Sequence, residues 1–487
     1  MPTRRRILWG AATIPSAMGA DSLLPTNVLR ALAQMASRPG SLRDIEYIVL
    51  LMQENRSFGH SFGTMAGVRG FEDVNALKRA GGRSVFCRPD TFNPDGYLFP
   101  FHLDTRKSSA QKIPSTSHAW HVQHQAGNGG RMDQWLPVQR YADGVHGLYC
   151  MGYFTREDIP FQFALAEAST LCDGYHSLVM GPTWPNRMSW ITDTVDPDGS
   201  HGGPIISNRA PDASYTWKTY PELLEEAGNS WKVYQQENNY GCKFPETFNI
   251  FKEARKNSHL YTKGMVPAPE VQFEFDAIND KLPGVSRFIP TSFQSEHPDS
   301  TPAEGAAFIV SKIDAITANR DVWEKTLNIL NYDENDGIFD HVAPLVPPAG
   351  TSHELIGSLP IGAGFRVPRI LLSPWTVGGW DSSEAFDHTS VLRLLERFTG
   401  MRMPNISEWI RQSIGDLTSA LRLRQSKDSL PNLPDSSGPL RLWRHAKRAG
   451  YPSRSSRPRT RSCRNRKRRS PGEFRMAFQL QARIVPL

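Results

Sequence analysis

Thr326–Tyr332 reads as a strand in which Leu327, Ile329, Leu330 and Tyr332 are apolar, and Ile45–Met52 is an almost unbroken run of apolar residues. A strand covered on both faces has this pattern, whereas a half-exposed strand alternates. Ser169–Cys172, Ser230–Val233 and Arg369–Ser373 read as further short strands. Pro204–Ile206 is a weaker one, because proline fits only the first position of a strand or an edge. Helical spacing predicts helices over Phe161–Glu167, Pro221–Ala227, Pro302–Ala318 and Ser390–Thr399. Pro302 suits a first helical turn, and Thr301 is placed to cap it. Strands alternating with helices predict an α/β fold, a mainly parallel central sheet flanked by helices.

Both of these strand candidates stop at polar residues that can ligate: Glu54-Asn55 after Ile45–Met52 and Asp333-Glu334 after Thr326–Tyr332. In open α/β sheets ligands bind past the carboxyl ends of strands. Carboxylate and amide oxygens converging there suit a hard cation such as Ca, Mg or Mn. Thr183 stands in the turn Gly181-Pro182-Thr183 ahead of a predicted helix, where an anionic group is favoured. A metal-bound hydroxyl could attack phosphorus, and histidines could protonate the leaving alkoxide. Histidines stand in Ser117-His118, Glu296-His297-Pro298, Asp340-His341 and Asp387-His388. Taken singly, each feature is ordinary. Glu-Asn after a strand is commonly a solvated turn, a lone histidine is commonly structural, and DENDG lacks the remaining ligands of an EF-hand.

The chain has 487 residues and a net charge of +7, which invites a nucleic-acid reading. The distribution argues against it. From Ser436 to Leu487 fifteen Lys or Arg face one acid, Glu473, so that segment carries +14 and the rest carries −7. The 436–487 tail, rich in Ser, Pro and Arg, is expected to be disordered. It would bind polyanions without specificity, so no specific nucleic-acid partner is expected. The five cysteines, Cys87, Cys150, Cys172, Cys242 and Cys463, form no CxxC pair, which argues against a structural zinc. One or two disulfides would be compatible with export.

The chain opens with Thr3-Arg4-Arg5-Arg6-Ile7-Leu8, similar to a twin-arginine export motif, before a modest apolar stretch broken by Pro15. Residues 1–36 are therefore expected to be a twin-arginine signal peptide, the export machinery a partner, and the destination periplasmic or extracellular.

Four motifs together resemble the bacterial phosphocholine-hydrolysing phospholipase C family, non-haemolytic and haemolytic. They are Leu51-Met52-Gln53-Glu54-Asn55-Arg56-Ser57-Phe58, Gly181-Pro182-Thr183 with Pro185-Asn186-Arg187, Tyr332-Asp333-Glu334-Asn335-Asp336-Gly337 with Phe339-Asp340-His341-Val342, and Gly364-Phe365-Arg366-Val367-Pro368 with Ser373-Pro374-Trp375. That family is related to an acid phosphatase type within the alkaline phosphatase superfamily. The resemblance implies an alkaline phosphatase-like catalytic domain over about 40–430. It implies one divalent metal held by Glu54, Asn55, Asp333 and Glu334 together with the nucleophile Thr183. His118, His297 and His341 become acid/base or phosphate-contacting candidates, and His388 a weaker one. The implied reaction releases diacylglycerol and phosphocholine from phosphatidylcholine, and by the same chemistry from sphingomyelin, at a membrane or micelle surface. A phosphomonoesterase and an inactive, truncated member are the alternatives. The sequence departs from the family in three places. Gly59 stands where an aspartate is usual, which predicts a lost carboxylate near the metal. Gly127 stands where a tryptophan is usual, which predicts a core loss of about 3–5 kcal/mol. The basic tail stands where two smaller β-rich domains are usual, and it resembles a frameshifted reading.

Overall fold

The computed structural model describes residues 3–4, 25–32, 40–208 and 214–423. The 436–487 tail, Cys463 and most of 1–36 lie outside the described residues. The fold is α/β. An eight-stranded mixed sheet runs in the order Thr3–Arg4, Trp380–Ser382, Thr170–Cys172, Arg369–Leu372, Thr326–Tyr332, Tyr47–Gln53, Val285–Phe288, Trp231–Tyr234. Four of its seven neighbouring pairs are parallel, including every pair from Thr326–Tyr332 outward to Trp231–Tyr234. Arg369–Leu372 runs antiparallel to both of its neighbours.

The strand Tyr47–Gln53 shows why its apolar run is almost unbroken. Along Tyr47–Gln53, Ile48, Leu50 and Met52 join one buried cluster, while Val49 and Leu51 join another on the opposite face. Burying each such side chain is worth roughly 1.5–3 kcal/mol. One face is covered by helices Thr183–Thr192, Tyr220–Glu226 and His388–Thr399, through Met188, Ile191, Leu223, Val391 and Leu395. The other is covered by Pro302–Ala318, through Ile309, Ile313 and Ile316. Thr301 caps that helix as its sequence predicts, accepting from the Glu304 backbone N–H at 3.1 Å. Among the described residues no helix is long and apolar enough to cross a membrane.

Several expectations need correction. Pro204–Ile206 pairs with no strand of the sheet; the Ile205 N–H bonds the Val195 carbonyl at 2.9 Å instead. Val285–Phe288 and Trp380–Ser382 are strands that apolar patterning misses, because each is only four or three residues long and includes buried polar residues, Ser286 in the first and Asp381 and Ser382 in the second. Cys87, Cys150, Cys172 and Cys242 are buried free thiols, with burial pushing Cys172 up to about 12. Apart from these corrections, Thr26–Leu32 forms a helix whose Val28 and Ala31 are buried in the cluster that includes Ile309 and Ile313.

Gly127 leaves no void. It ends helix Trp120–Gly127, and a Cβ built on it would lie 3.1 Å from the Phe365 ring, which packs against Trp135 at 4.4 Å between centroids. A bulky side chain here would displace Phe365. Gly127→Trp is accordingly expected to destabilise this chain by about 1–3 kcal/mol. A lower urea midpoint at unchanged slope would show this; a raised midpoint would show that the core has room after all.

Candidate active site

Parallel pairing in register sets the site. Gln53 lies opposite Tyr332, so Glu54-Asn55 and Asp333-Glu334 leave the sheet side by side, and the Asp333 N–H donates to the Gln53 carbonyl at 3.0 Å. Asn55 then adopts the left-handed region, φ +43°, which Asn tolerates better than most residues. Its backbone N–H donates to Asp333 Oδ1 at 3.0 Å and its Nδ2 to Asp336 Oδ1 at 3.2 Å.

Thr183 is the first residue of helix Thr183–Thr192. Asn186 locks the preceding turn. Its Oδ1 accepts from the Val179 N–H at 2.8 Å, and its Nδ2 donates to the carbonyls of Gly181 and Pro182 at 3.0 and 3.1 Å. Thr183 Oγ1 donates to Glu54 Oε2 at 3.3 Å. One turn on, the buried Arg187 pairs with Glu54 Oε1 at 2.5 Å and with Asp333 Oδ2 at 3.1 Å. Positions four apart share a helix face, so one face presents both the hydroxyl and the guanidinium to Glu54.

Glu334 and Asp336 complete the acidic floor. Glu334 Oε2 accepts from the Asp336 N–H at 2.5 Å, and Glu334 Oε1 lies 3.7 Å from His118 Nε2. His118 donates through Nδ1 to the Thr116 carbonyl at 2.8 Å, which turns Nε2 towards the acids. His297 Nε2 lies 4.0 Å from Asp336 Oδ1. With side chains 17 % and 28 % exposed, His118 and His297 mark the open side of a site whose other members are buried. Burial and Glu54 push the Asp333 carboxyl well above its usual range, against Arg187; burial and Asp336 do the same to Glu334.

The residues fit a divalent cation. Glu54, Asp333, Glu334 and Asp336 are buried carboxylates, while Arg187 is the cation paired with two of them. Asn55 Oδ1 and Glu334 Oε1 are buried without a hydrogen-bond partner, an arrangement that hard oxygen ligation would relieve. His118, Glu334 and Asp336 also offer atoms within 4.8 Å of one another.

Thus the structure gathers Glu54, Asn55, Thr183, Asp333, Glu334, His118 and His297. His341 stands in another network: Nε2 meets Asp73 at 3.1 Å, and Nδ1 lies 3.9 Å from Asp340, which Arg366 binds through Nε and Nη2, each at 3.1 Å. Gly59 borders that second network, its N–H donating to Asp340 Oδ2 at 2.8 Å. A Cβ there would lie 3.2 Å from the same oxygen, so a carboxylate at 59 would crowd Asp340. His388 is buried between the Tyr175 hydroxyl and the Asp333 carbonyl, 2.7 Å from each, and burial lowers it to about 3. It therefore stays neutral and holds the Asp333 backbone.

Sequence reasoning passed over Arg187, Asn186 and Asp336 as functional groups. Their signal is positional: Asn186 and Arg187 follow Thr183 by three and four residues, and Asp336 precedes a glycine in a turn after a buried strand. It also passed over Arg56, which donates through Nε to the Glu296 carbonyl at 2.8 Å and through Nη2 to the His297 carbonyl at 3.3 Å, so bracing the loop that carries His297.

The profile described as "Phosphoesterase family" matches residues 45–402. The chain belongs to the phosphoesterase family. It is 41% identical to the non-hemolytic phospholipase C of Pseudomonas aeruginosa, over 89% of this chain and 66% of that protein. It is 39% identical to the hemolytic phospholipase C of the same organism, over 89% and 64%. It is 38% identical to phospholipase C B of Mycobacterium tuberculosis, over 88% of both. The phosphoesterase thus spans a little under two thirds of the length of the Pseudomonas relatives. A solved protein in the alkaline phosphatase superfamily from Vibrio parahaemolyticus aligns over 80% of this chain and 77% of that one at 11% identity and TM-score 0.33, a likeness too loose to bear on the site.

Two outcomes follow from this geometry. Arg187→Met leaves Glu54 and Asp333 buried without their cation, which is expected to cost about 3–5 kcal/mol in chelator and less in saturating Mn²⁺. Urea denaturation under both conditions measures it; equal losses would show that no cation replaces the guanidinium charge. The second concerns His60, whose Nε2 faces Arg56 Nη1 at 3.0 Å and which burial holds down at about 3. Above pH 6.5 neither the folded nor the unfolded chain protonates this group. Below it only the unfolded chain does, so stability present above pH 6.5 is lost as pH falls, by up to about 1.4 kcal/mol per pH unit. His60→Gln should flatten that slope between pH 6.5 and 5. Comparing variant with parent removes the opposing titration of Glu296, which burial pushes up to about 7.

Proposed function

We propose that this phosphoesterase is a phospholipase C that hydrolyses phosphatidylcholine, and sphingomyelin through the same phosphocholine headgroup, by way of a threonine nucleophile. The observation that carries the reading is the Thr183 hydroxyl, set at a helix N-terminus and directed at a buried carboxylate cluster, in a chain about 40% identical to phospholipases C.

Thr183 Oγ1 attacks phosphorus and gives up its proton to Glu54 Oε2, the carboxylate it faces; the bond to the diacylglycerol oxygen breaks, and that alkoxide takes a proton. His118 Nε2 and His297 Nε2, on the open side, are the groups able to supply it. Water then cleaves the phosphothreonine, freeing phosphocholine and restoring the hydroxyl. The N-terminus of helix Thr183–Thr192 favours the anionic phosphoryl group. A divalent cation held by Glu54, Asn55, Thr183, Asp333 and Glu334 would lower the hydroxyl pKa and offset phosphoryl charge. His341, tied to Asp73, belongs to the Asp340–Arg366 network and takes no step in this reaction. Trp135 is fully buried with its indole N–H on the Gly337 carbonyl at 2.6 Å, and Tyr153 packs on Phe71; of the aromatic residues near the motifs, Trp120, Trp135, Tyr153 and Trp184, the half-buried Trp184 follows the nucleophile directly in the chain and is proposed to meet the choline group.

The substrate lies in a membrane or micelle, which the enzyme would visit transiently. The twin-arginine motif supports export by that machinery, and cleavage before Thr26 would spare the helix Thr26–Leu32. Hydrolysis of a chromogenic phosphocholine diester and of the matching monoester tests the reading. The diester should be preferred, and Thr183→Ala should lower kcat/KM by roughly 10³-fold or more. Chelation should abolish turnover, with Mn²⁺ or Ca²⁺ restoring it. Turnover surviving Thr183→Ala would remove the nucleophile from the proposal, and preference for the monoester would replace the phospholipase reading with a phosphatase.

A further inference from the structure

We propose that Asp336 is a positioning residue whose carboxylate decides which end of the Asn55 carboxamide faces the cation. The inference rests on the reading of Asn55 as a ligand. A primary amide has one accepting end and one donating end, and only the oxygen can hold a hard cation. Nothing in the shape of Asn55 chooses between the two orientations; a neighbour must. Asp336 Oδ1, accepting from Asn55 Nδ2 at 3.2 Å, is that neighbour. In the opposite orientation two oxygens would face each other in a buried site. The chosen orientation leaves Asn55 Oδ1 buried without a hydrogen-bond partner, which is the state of a ligand atom.

Asp336 is itself held so that it can do this. Oδ1 also accepts from Ser115 Oγ at 2.7 Å, and Oδ2 accepts from the Thr116 N–H at 2.8 Å and from Thr116 Oγ1 at 3.4 Å. With both oxygens already taken up by these donors, Asp336 is a poor ligand despite its closeness to Glu334 and His118. The backbone is shaped for the task. Asp336 and Gly337 are both left-handed, at φ +58° and +69°. A Cβ on Gly337 would lie 2.6 Å from the Ser117 carbonyl oxygen, so only glycine lets the turn close against the 115–117 segment.

Calorimetric titration of the full chain with Mn²⁺ tests this without reference to turnover. Asp336→Asn can offer Asn55 an NH₂ group, which no longer selects the oxygen-out orientation, and is expected to weaken Mn²⁺ binding about 10–100-fold. Asn55→Ala should weaken it at least as much, and the double variant no further, because both act through one ligand atom. Asn55→Asp combined with Asp336→Asn is the rescue. A carboxylate has oxygen at both ends and needs no orienting, so this pair should bind more tightly than Asp336→Asn alone. Parent-like binding by Asp336→Asn, full additivity with Asn55→Ala, or failure of the rescue would each overturn the proposal. If Asn55→Ala binds like the parent, the ligand assignment itself fails and takes this inference with it; if only Asp336→Asn is parent-like, the ligand assignment stands alone. Should Asp336→Asn lose its fold by circular dichroism, the parent supplies the answer. Its Asn55 side-chain amide protons, identified by their absence in Asn55→Ala, should exchange slowly with solvent, and fast exchange would overturn the proposal.

Discussion

The in-register parallel pairing of Tyr47–Gln53 with Thr326–Tyr332 is the constraint on which the site depends. It places residues far apart in sequence on one edge of the sheet, and it delivers carboxylates from both strands to one point. Burial on both faces makes the pairing unyielding. A slip of one residue would exchange Ile48, Leu50 and Met52 with Val49 and Leu51 across the sheet and would part Asp333 from the Gln53 carbonyl. The apolar core therefore fixes the spacing of the acids more firmly than any contact among the acids themselves.

Grouped carboxylates in a dry place repel one another, and the molecule handles this in two ways. Arg187 lies between Glu54 and Asp333, so part of the charge is offset before any cation arrives. Donors surround the rest: the Asn55 and Glu334 N–H groups on Asp333, and Ser115, Thr116 and Asn55 on Asp336. What stays unsatisfied, Asn55 Oδ1 and Glu334 Oε1, is the part that a hard cation would complete. A buried cluster of this kind is costly until its charge is compensated.

The second network has a different logic. Asp340 binds Arg366 with both oxygens and receives the Gly59 N–H, while His341 joins Asp340 to Asp73. It ties the loop after Thr326–Tyr332 to the helix after Tyr47–Gln53. Asp340 thus does by an ion pair, a few residues on, what Asp333 does at the strand end. The glycine at 59 suits this arrangement, since a side chain there would press on a carboxylate already engaged.

Much of the fold could be read from the sequence, because burial on both faces leaves a mark in composition. The apolar run Ile45–Met52, the strand Thr326–Tyr332, the helix Pro302–Ala318 with its Thr301 cap, and the acids that end both strands were all legible. Val285–Phe288 and Trp380–Ser382 were not, since strands of four and three residues that include polar ones are too short to show a pattern. Nor could the sequence show that Gly127 meets the Phe365 ring, that His341 turns to Asp73, or that Asp336 and Arg187 reach residues well over a hundred positions away. Apolar periodicity is a local property and the chain carries it openly. The direction in which a polar side chain points is set by whichever donor or acceptor the folded chain brings to it, and only the tertiary structure decides that.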